Sequence, residues 1–264
     1  MKISCYISIV ILFFSINGYS ASKILDVGEE LNYKAYFGFI KLGEVKFRIT
    51  SSYKEDDKDI YNAMATIKSY EGIPFVYINF IFETTMEREP GGLFSQKFYS
   101  TEFKEDKSLT RIEYKFRYND KVITVKRETD GNVENEKKIV IDENTRFQDG
   151  LSVFYHARLQ SFSNKNYITP VYINERESSV RYSFNINKDV VSSDLTDYDM
   201  SVIKIAGVAD FVGIFGLTGE FVGWFSDDDS RIPIKAQFNV KIGSILLELH
   251  SYKKKNWKPP KFEK

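Results

Sequence analysis

The sequence predicts an all-β, mainly antiparallel protein: a large curved sheet, β-sandwich or incomplete barrel of about 10–13 strands with one short helix. Three observations lead there. From Leu31 onward apolar residues recur with a period of two, the spacing that puts alternate side chains on one face of a strand. The chain holds 22 Phe and 17 Tyr with frequent Ile and Val, a mixture that suits pleated, half-buried surfaces. No Pro/Ser-rich linker, composition shift or internal repeat divides the chain, so residues 23–252 read as a single domain.

Taken in order, Leu31, Tyr33, Ala35 and Phe37 alternate with polar neighbours, and after the turn-like GFIKLG so do Val45, Phe47 and Ile49. The charged EDDKD is a loop before the strand carrying Tyr61, Ala63, Ala65 and Ile67. IPFVYINFIF, residues 73–82, is apolar on both faces apart from Asn79, which fits a strand covered on both sides or part of a short helix. REPGGL is a turn, Phe94–Tyr99 a strand, and Thr110–Tyr118 with Ile123 and Val125 a hairpin about Asn119-Asp120. One segment changes period: Leu151, Phe154, Tyr155 and Leu159 recur at three and four, Asp149 stands where a cap belongs, and Gln160-Ser161 end the helix. Such a helix would close one end of a barrel or lie across a sheet. Strands resume at Val171–Ile173, Val180–Ile186 and Ser201–Ile205, and Ile234–Ile242 turns through Gly243-Ser244 into Ile245–His250.

The first residues read as an export signal. Lys2 precedes the apolar run Ile7–Ile16, and small residues around Ser20 and Ser22 suit cleavage, so residues 1–20 form the signal peptide with a cut near 20–22. The run is too short for the roughly 20 residues of a membrane span, so no transmembrane span is expected after cleavage. Cys5, the single cysteine, falls inside that signal and ahead of the apolar run. A cysteine-free mature chain excludes zinc-thiolate, thiol-redox and cysteine-nucleophile chemistry. Lys plus Arg equals Asp plus Glu at 37 each, so no global field recruits nucleic acid or anionic lipid. The tail 253–264 is basic, and its six lysines and two prolines predict a frayed terminus.

GIFGLTGEFVGWFSDDDSRIP, residues 213–233, stands out. As a strand it puts Leu217, Gly219, Phe221, Gly223 and Phe225 on one face and Glu220, Val222 and Trp224 on the other. Glycine alternating with phenylalanine predicts close backbone approach or a sharp bend. The three aspartates lack the alternating ladder that wraps a hard cation, so they are read as a turn and no metal site is assigned.

That stretch, continued through PIKAQFNVKIGSILLEL, together with FQDGLSVFYHARL at 147–159 and GEELNYKAYFGFIKLGEV at 28–45, resembles the bacterial domain-of-unknown-function family 3108 (DUF3108). The resemblance covers nearly the whole mature chain and implies an exported, β-rich protein of a diderm bacterium, periplasmic or associated with the outer envelope. It implies no activity and no catalytic residues. The chain departs from the family at DGLS, where DPLS or DVLS is usual, and Gly150 should weaken the first helical turn without removing the Asp149 cap.

No G-x-S-x-G elbow, H-E-x-x-H helix, Walker loop or dinucleotide fingerprint occurs, and no cofactor is implied. His156 and His250, the two histidines, are read as packing or surface residues rather than bases. Three functions fit: a carrier that holds a hydrophobic or lipid-like molecule within a curved aromatic sheet, a non-catalytic envelope protein that docks a protein partner, or a carboxylate-dependent hydrolase. Phe221, Trp224 and Phe225 are the candidate ligand contacts.

Overall fold

A computed structural model describes residues 23–74, 76–90, 92–213, 218–240 and 243–263; the expected signal peptide lies outside them. The period-two segments become β1 (Glu30–Phe37), β2 (Ile40–Glu55), β3 (Lys58–Ser69), β4 (Asn79–Glu89), β5 (Gly92–Phe103), β6 (Leu109–Arg117) and β7 (Val122–Thr129). They continue as β8 (Asn132–Val140), β9 (Asn166–Ile173), β10 (Arg176–Val191), β11 (Met200–Ala209), β12 (Gly219–Ser226), β13 (Pro233–Asn239) and β14 (Ser244–Lys253). The helix α1 is Ser152–Gln160. All 14 strands form one sheet in the order β8-β7-β6-β5-β4-β3-β2-β1-β14-β13-β12-β11-β10-β9. Adjacent strands are consecutive in sequence except at β1 and β14, which pair antiparallel with Tyr33 opposite Leu249. The number exceeds the expected 10–13 because β8 is exposed except at Lys137 and Ile139 and carries no apolar alternation.

Of the three architectures expected, the incomplete barrel is the one formed. The strands do not close on themselves, and a short segment spans the gap. Ser95 of β5 donates its N–H to the Phe147 carbonyl (2.8 Å), Gln148 donates to Pro170 of β9 (2.9 Å), and Tyr172 donates to Gln148 (2.8 Å). The remaining strands β6 to β8 run past the gap and cover β9 from outside. Successive residues of a strand point opposite ways, and Val171 packs inward with Val180 and Ile203 while Tyr172 packs with Tyr114 and Phe116 of β6. The sheet is therefore rolled with its ends overlapping.

Helix α1 occupies the interior. Phe154 stacks on Phe47 of β2 at 4.2 Å, and Val153 and Ala157 pack on the opposite wall. Its first turn is held by Asp149, whose Oδ1 accepts the N–H groups of Leu151 (2.7 Å) and Ser152 (2.8 Å), while Oδ2 accepts the hydroxyls of Thr84 (2.5 Å) and Ser95 (2.7 Å). The N-cap position is Leu151, not the expected Asp149, which braces the helix entry from two residues ahead; Asp149 is fully buried, and burial raises its carboxyl pKa above the ordinary value against the lowering effect of these donors. From the last turn Arg158 reaches a closed ionic cluster. Its guanidinium grips Glu29 through two contacts (2.6 and 3.0 Å), and its other donors reach the carbonyls of Ser230 (3.0 Å) and Arg231 (3.2 Å). Lys254 completes the cluster, donating to Glu29 (2.7 Å) and to the Lys23 carbonyl (2.5 Å).

The aspartates form the turn expected of them. Asp228 Oδ1 accepts from Ser226 Oγ and from the N–H groups of Ser230 and Arg231, Asp227 pairs with Arg231, and Asp229 pairs with Lys23. Two expectations need correction. The tail is not frayed: Trp257 is 8 % exposed and donates its indole N–H to Asp228 (2.7 Å), while Ser201 donates to the Pro260 carbonyl and Phe262 to that of Asp199. Its lysines suggested a solvated end, yet Lys254 is consumed by the buried cluster and Trp257 anchors the residues after it. Residues 73–82 are not one strand or helix: β4 begins only at Asn79, and the earlier part is a connection in which Tyr77 is 51 % exposed; Phe75 lies outside the described residues.

Without Arg158 the buried Glu29 keeps only Lys254 and the Ser230 and Arg231 carbonyls lose a donor, so Arg158→Ala should cost about 3–5 kcal/mol in urea unfolding. Glu29→Gln with Arg158→Met should recover part of that loss; a double variant as unstable as the single would mean that packing, not charge, sets the cost. Trp257→Ala should cost about 3 kcal/mol and make the tail sensitive to limited proteolysis, which in the parent protein should leave it intact.

Candidate ligand-binding site

With α1 filling one half of the roll, the other half is lined by the inner faces of β1, β14, β13, β12, β11 and β10. Register carries one row across them: Phe37, Ile245, Phe238, Phe221, Gly207 and Tyr182. The next row inward is Ala35, Leu247, Ala236, Gly223, Ile205 and Phe184. Aromatic side chains thus stand above a belt in which three of six positions are Ala or Gly. Phe221 and Phe238 stack at 5.8 Å and, like Ala236 and Leu247 beneath them, are only half-buried although they face inward. Solvent therefore reaches an apolar inner wall. The belt is tight at the backbone: a Cβ at Gly223 would fall 2.9 Å from Ile205 Cγ2, and one at Gly207 would fall 2.7 Å from Phe221 Cζ. These contacts meet the expectation of close approach along β12, whose pairing with β13 shifts register between Trp224 and Phe225.

Four connections border this mouth: β1–β2, β3–β4, β11–β12 and β13–β14. Because β4-β3-β2-β1-β14-β13-β12-β11 are consecutive in the sheet, the four lie side by side along one edge. Their described residues are unusually apolar for exposed turns: Phe39 is 95 % exposed, Tyr77 51 % and Val212 48 %, with Phe37 and Ile40 beside Phe39. Residues 214–217 and 241–242 of the same connections lie outside the described set. The opposite edge is polar, with Asp56-Asp57 between β2 and β3 and the aspartate turn between β12 and β13.

The three sequence candidates are not gathered. Phe221 lies at the mouth, Phe225 is buried deeper against Phe184 (5.6 Å), and Trp224 is on the outer face beside Lys204 and opposite Lys235. The alternation of β12 already put Trp224 on the other side from the two phenylalanines. Phe238, Ala236 and Leu247 join Phe221 on this wall although nothing in the sequence singles them out as contacts.

His156 is held inside, with Nδ1 3.0 Å from the Leu93 carbonyl oxygen, and desolvation lowers its pKa to about 4, opposed by that contact. At neutral pH it is an uncharged packing residue, as expected of it. A cleft of about 440 Å³ lies at the polar edge, lined in part by Phe94, Glu87 and Arg146, but Glu87 is already engaged by Lys58 (2.9 Å) and Gln96 (2.6 Å). Among the described residues no group of three or more His, Cys, Asp or Glu side chains is arranged to hold a metal ion.

The three stretches that carried the sequence resemblance meet at one place: Glu29 comes from the first, Arg158 from the second, and Ser230 and Arg231 from the third. The DUF3108 model, described as a protein of unknown function, matches residues 32–250. The chain belongs to the DUF3108 family. Among solved structures, a β-barrel-like protein of the domain of unknown function DUF1849 from Brucella abortus is similar over 86 % of this chain and 97 % of its own, with 14 % identity and a TM-score of 0.52. A putative exported protein with a YmcC-like fold from Bacteroides fragilis aligns over 86 % of this chain and 96 % of its own at 10 % identity and a TM-score of 0.36. No curated protein matches significantly. The first likeness shows that the DUF3108 chain shares a β-barrel-like fold with that structure.

A buried neutral imidazole makes this DUF3108 protein acid-sensitive. The folded pKa of about 4 lies below the ordinary value of 6.5, so between these pH values the unfolded chain binds more protons. The stability contributed by His156 is complete above pH 6.5 and is lost as pH falls toward 4. Urea midpoints measured over that range should decline in the parent protein and decline less in His156→Gln.

Proposed function

We propose that this DUF3108 protein is an exported, periplasmic or outer-envelope-associated protein of a diderm bacterium that binds a hydrophobic, lipid-like molecule in the mouth of its rolled sheet. The observation that carries this reading is the inner wall of Phe221, Phe238, Ala236 and Leu247, apolar yet half-exposed. A core residue gains by complete burial, at about 25 cal/mol per Å² of apolar surface, so an inward-facing apolar wall left open to water favours an apolar guest. Of the small belt residues Ala236 is the one that stays partly open, and the exposed Phe39, Tyr77 and Val212 line the way in to it. Phe221 is the sequence candidate retained as a ligand contact. The outward position of Trp224 argues against a role for it in this pocket, and Phe225 would form its floor with Phe184. The reading calls for no cofactor.

Native mass spectrometry of the protein mixed with envelope phospholipids tests this reading. A bound mass equal to one lipid is expected, reduced at least tenfold by Ala236→Trp, which fills the belt, and by Phe238→Asp, which makes the wall polar, but unchanged by Trp224→Ala. A clean apo mass with every lipid tried would overturn the reading and favour the non-catalytic envelope-docking alternative.

A further inference from the structure

The two ends of the sheet differ. The outer edge of β9 is engaged by Gln148, whose N–H and C=O bond to Pro170 and Tyr172. The outer edge of β8 carries a nine-residue strand, NVENEKKIV, exposed along nearly its whole length, and its ladder is with β7. Free strand edges invite pairing with another chain, and charged side chains normally deter it. Here the order of the charges matters. Beyond the bulge at Glu134, the outer face of β8 reads Glu136, Lys138, Val140, acidic first and basic next. A strand that meets a second copy of itself antiparallel, about a two-fold axis through Lys137, sets Glu136 of each copy opposite Lys138 of the other. Cross-strand pairs of opposite charge stabilise an antiparallel ladder, and like pairs destabilise it. The same two-fold brings Lys137 opposite itself, but on the inner face, where each Lys137 is held by Glu175 at 2.8 Å, a carboxylate it shares with Arg127. Shifting the axis by one residue either way sets Lys138 against Lys138 or Glu136 against Glu136 on the outer face. The exposed Val133 (54 %) and Val140 (80 %) lie at the two ends of the strand.

We propose that β8 is a self-pairing edge through which two copies of this chain join their sheets antiparallel about Lys137. The charges that repel other strands admit this partner in this register, giving the isologous contact of a two-fold dimer. It leaves the mouth untouched, since the mouth is built from β1 and β10–β14.

Analytical ultracentrifugation of the purified protein tests the dimer, and charge exchange tests its register. Glu136→Lys and Lys138→Glu should each weaken self-association about tenfold, whereas an equimolar mixture of the two variants restores Glu/Lys opposition in both outer pairs and should associate as well as the parent. Circular dichroism matching the parent confirms that these surface changes leave the fold intact. In a Cys5→Ser background, Lys137→Cys should form an intermolecular disulfide and Val133→Cys should not. A parent protein that stays monomeric at 100 µM (about the top of a useful micromolar range), or a dimer indifferent to both charge reversals, overturns the proposal.

Discussion

The bidentate contact between Arg158 and Glu29 is the constraint around which the rest of this protein is arranged. Two charges taken out of water are tolerated only when their hydrogen-bonding groups are met. Here the guanidinium is satisfied by one carboxylate and two backbone carbonyls, and the carboxylate is shared with Lys254. Those partners come from just before the first strand, the end of the helix, the turn between β12 and β13, and just after the last strand. Satisfying one side chain therefore fixes how deep the helix sits and pins both margins of the β1/β14 junction. Because the helix is drawn to that side, one half of the interior is filled with its side chains and the other half is lined only by the sheet. The ionic cluster thus determines where the open wall lies without taking part in it.

The all-β class, most strand positions and the helix were legible because each depends on neighbours within about a dozen residues. What escaped depends on distance. Nothing in Leu31 or Leu249 marks them as members of adjacent strands, and without that pairing Phe37 cannot be placed in the same row as Phe238. Arg158 reads as an ordinary helical arginine until its partners, 129 and 73 residues away, are known. The tail failed for the same reason, since Trp257 owes its burial to Asp228. β8 differs: an edge strand that half-buries only Lys137 and Ile139 has no apolar period to detect. In residues 73–82 the apolar run was genuine, but part of it serves a connection at the mouth instead of a core strand.

Recognisability and function also separate in this chain. The most distinctive stretch, from the glycine-rich β12 to the three aspartates, is distinctive because its geometry is demanding. Gly223 makes room for Ile205, the aspartates hold a turn, and the turn lends its carbonyls to Arg158. Of its aromatics only Phe221 reaches the half-open wall. The mouth residues that accompany it, such as Leu247 and Ala236, are inconspicuous in sequence because an apolar lining asks only for size and hydrophobicity, which many residues supply.

The junction of β1 with β14 has a kinetic meaning as well. Twelve of the thirteen strand pairings join consecutive strands and can form as soon as both are available, but Glu30 must wait for Lys253 before the first strand gains its second partner. Contacts of such wide sequence separation are slow to form and leave strand edges uncovered meanwhile. The chain consequently spends its growth as an unclosed ribbon and becomes a vessel only when its last strand arrives, so any factor that shields its early edges would act on the newly made chain and have no grip on the finished protein.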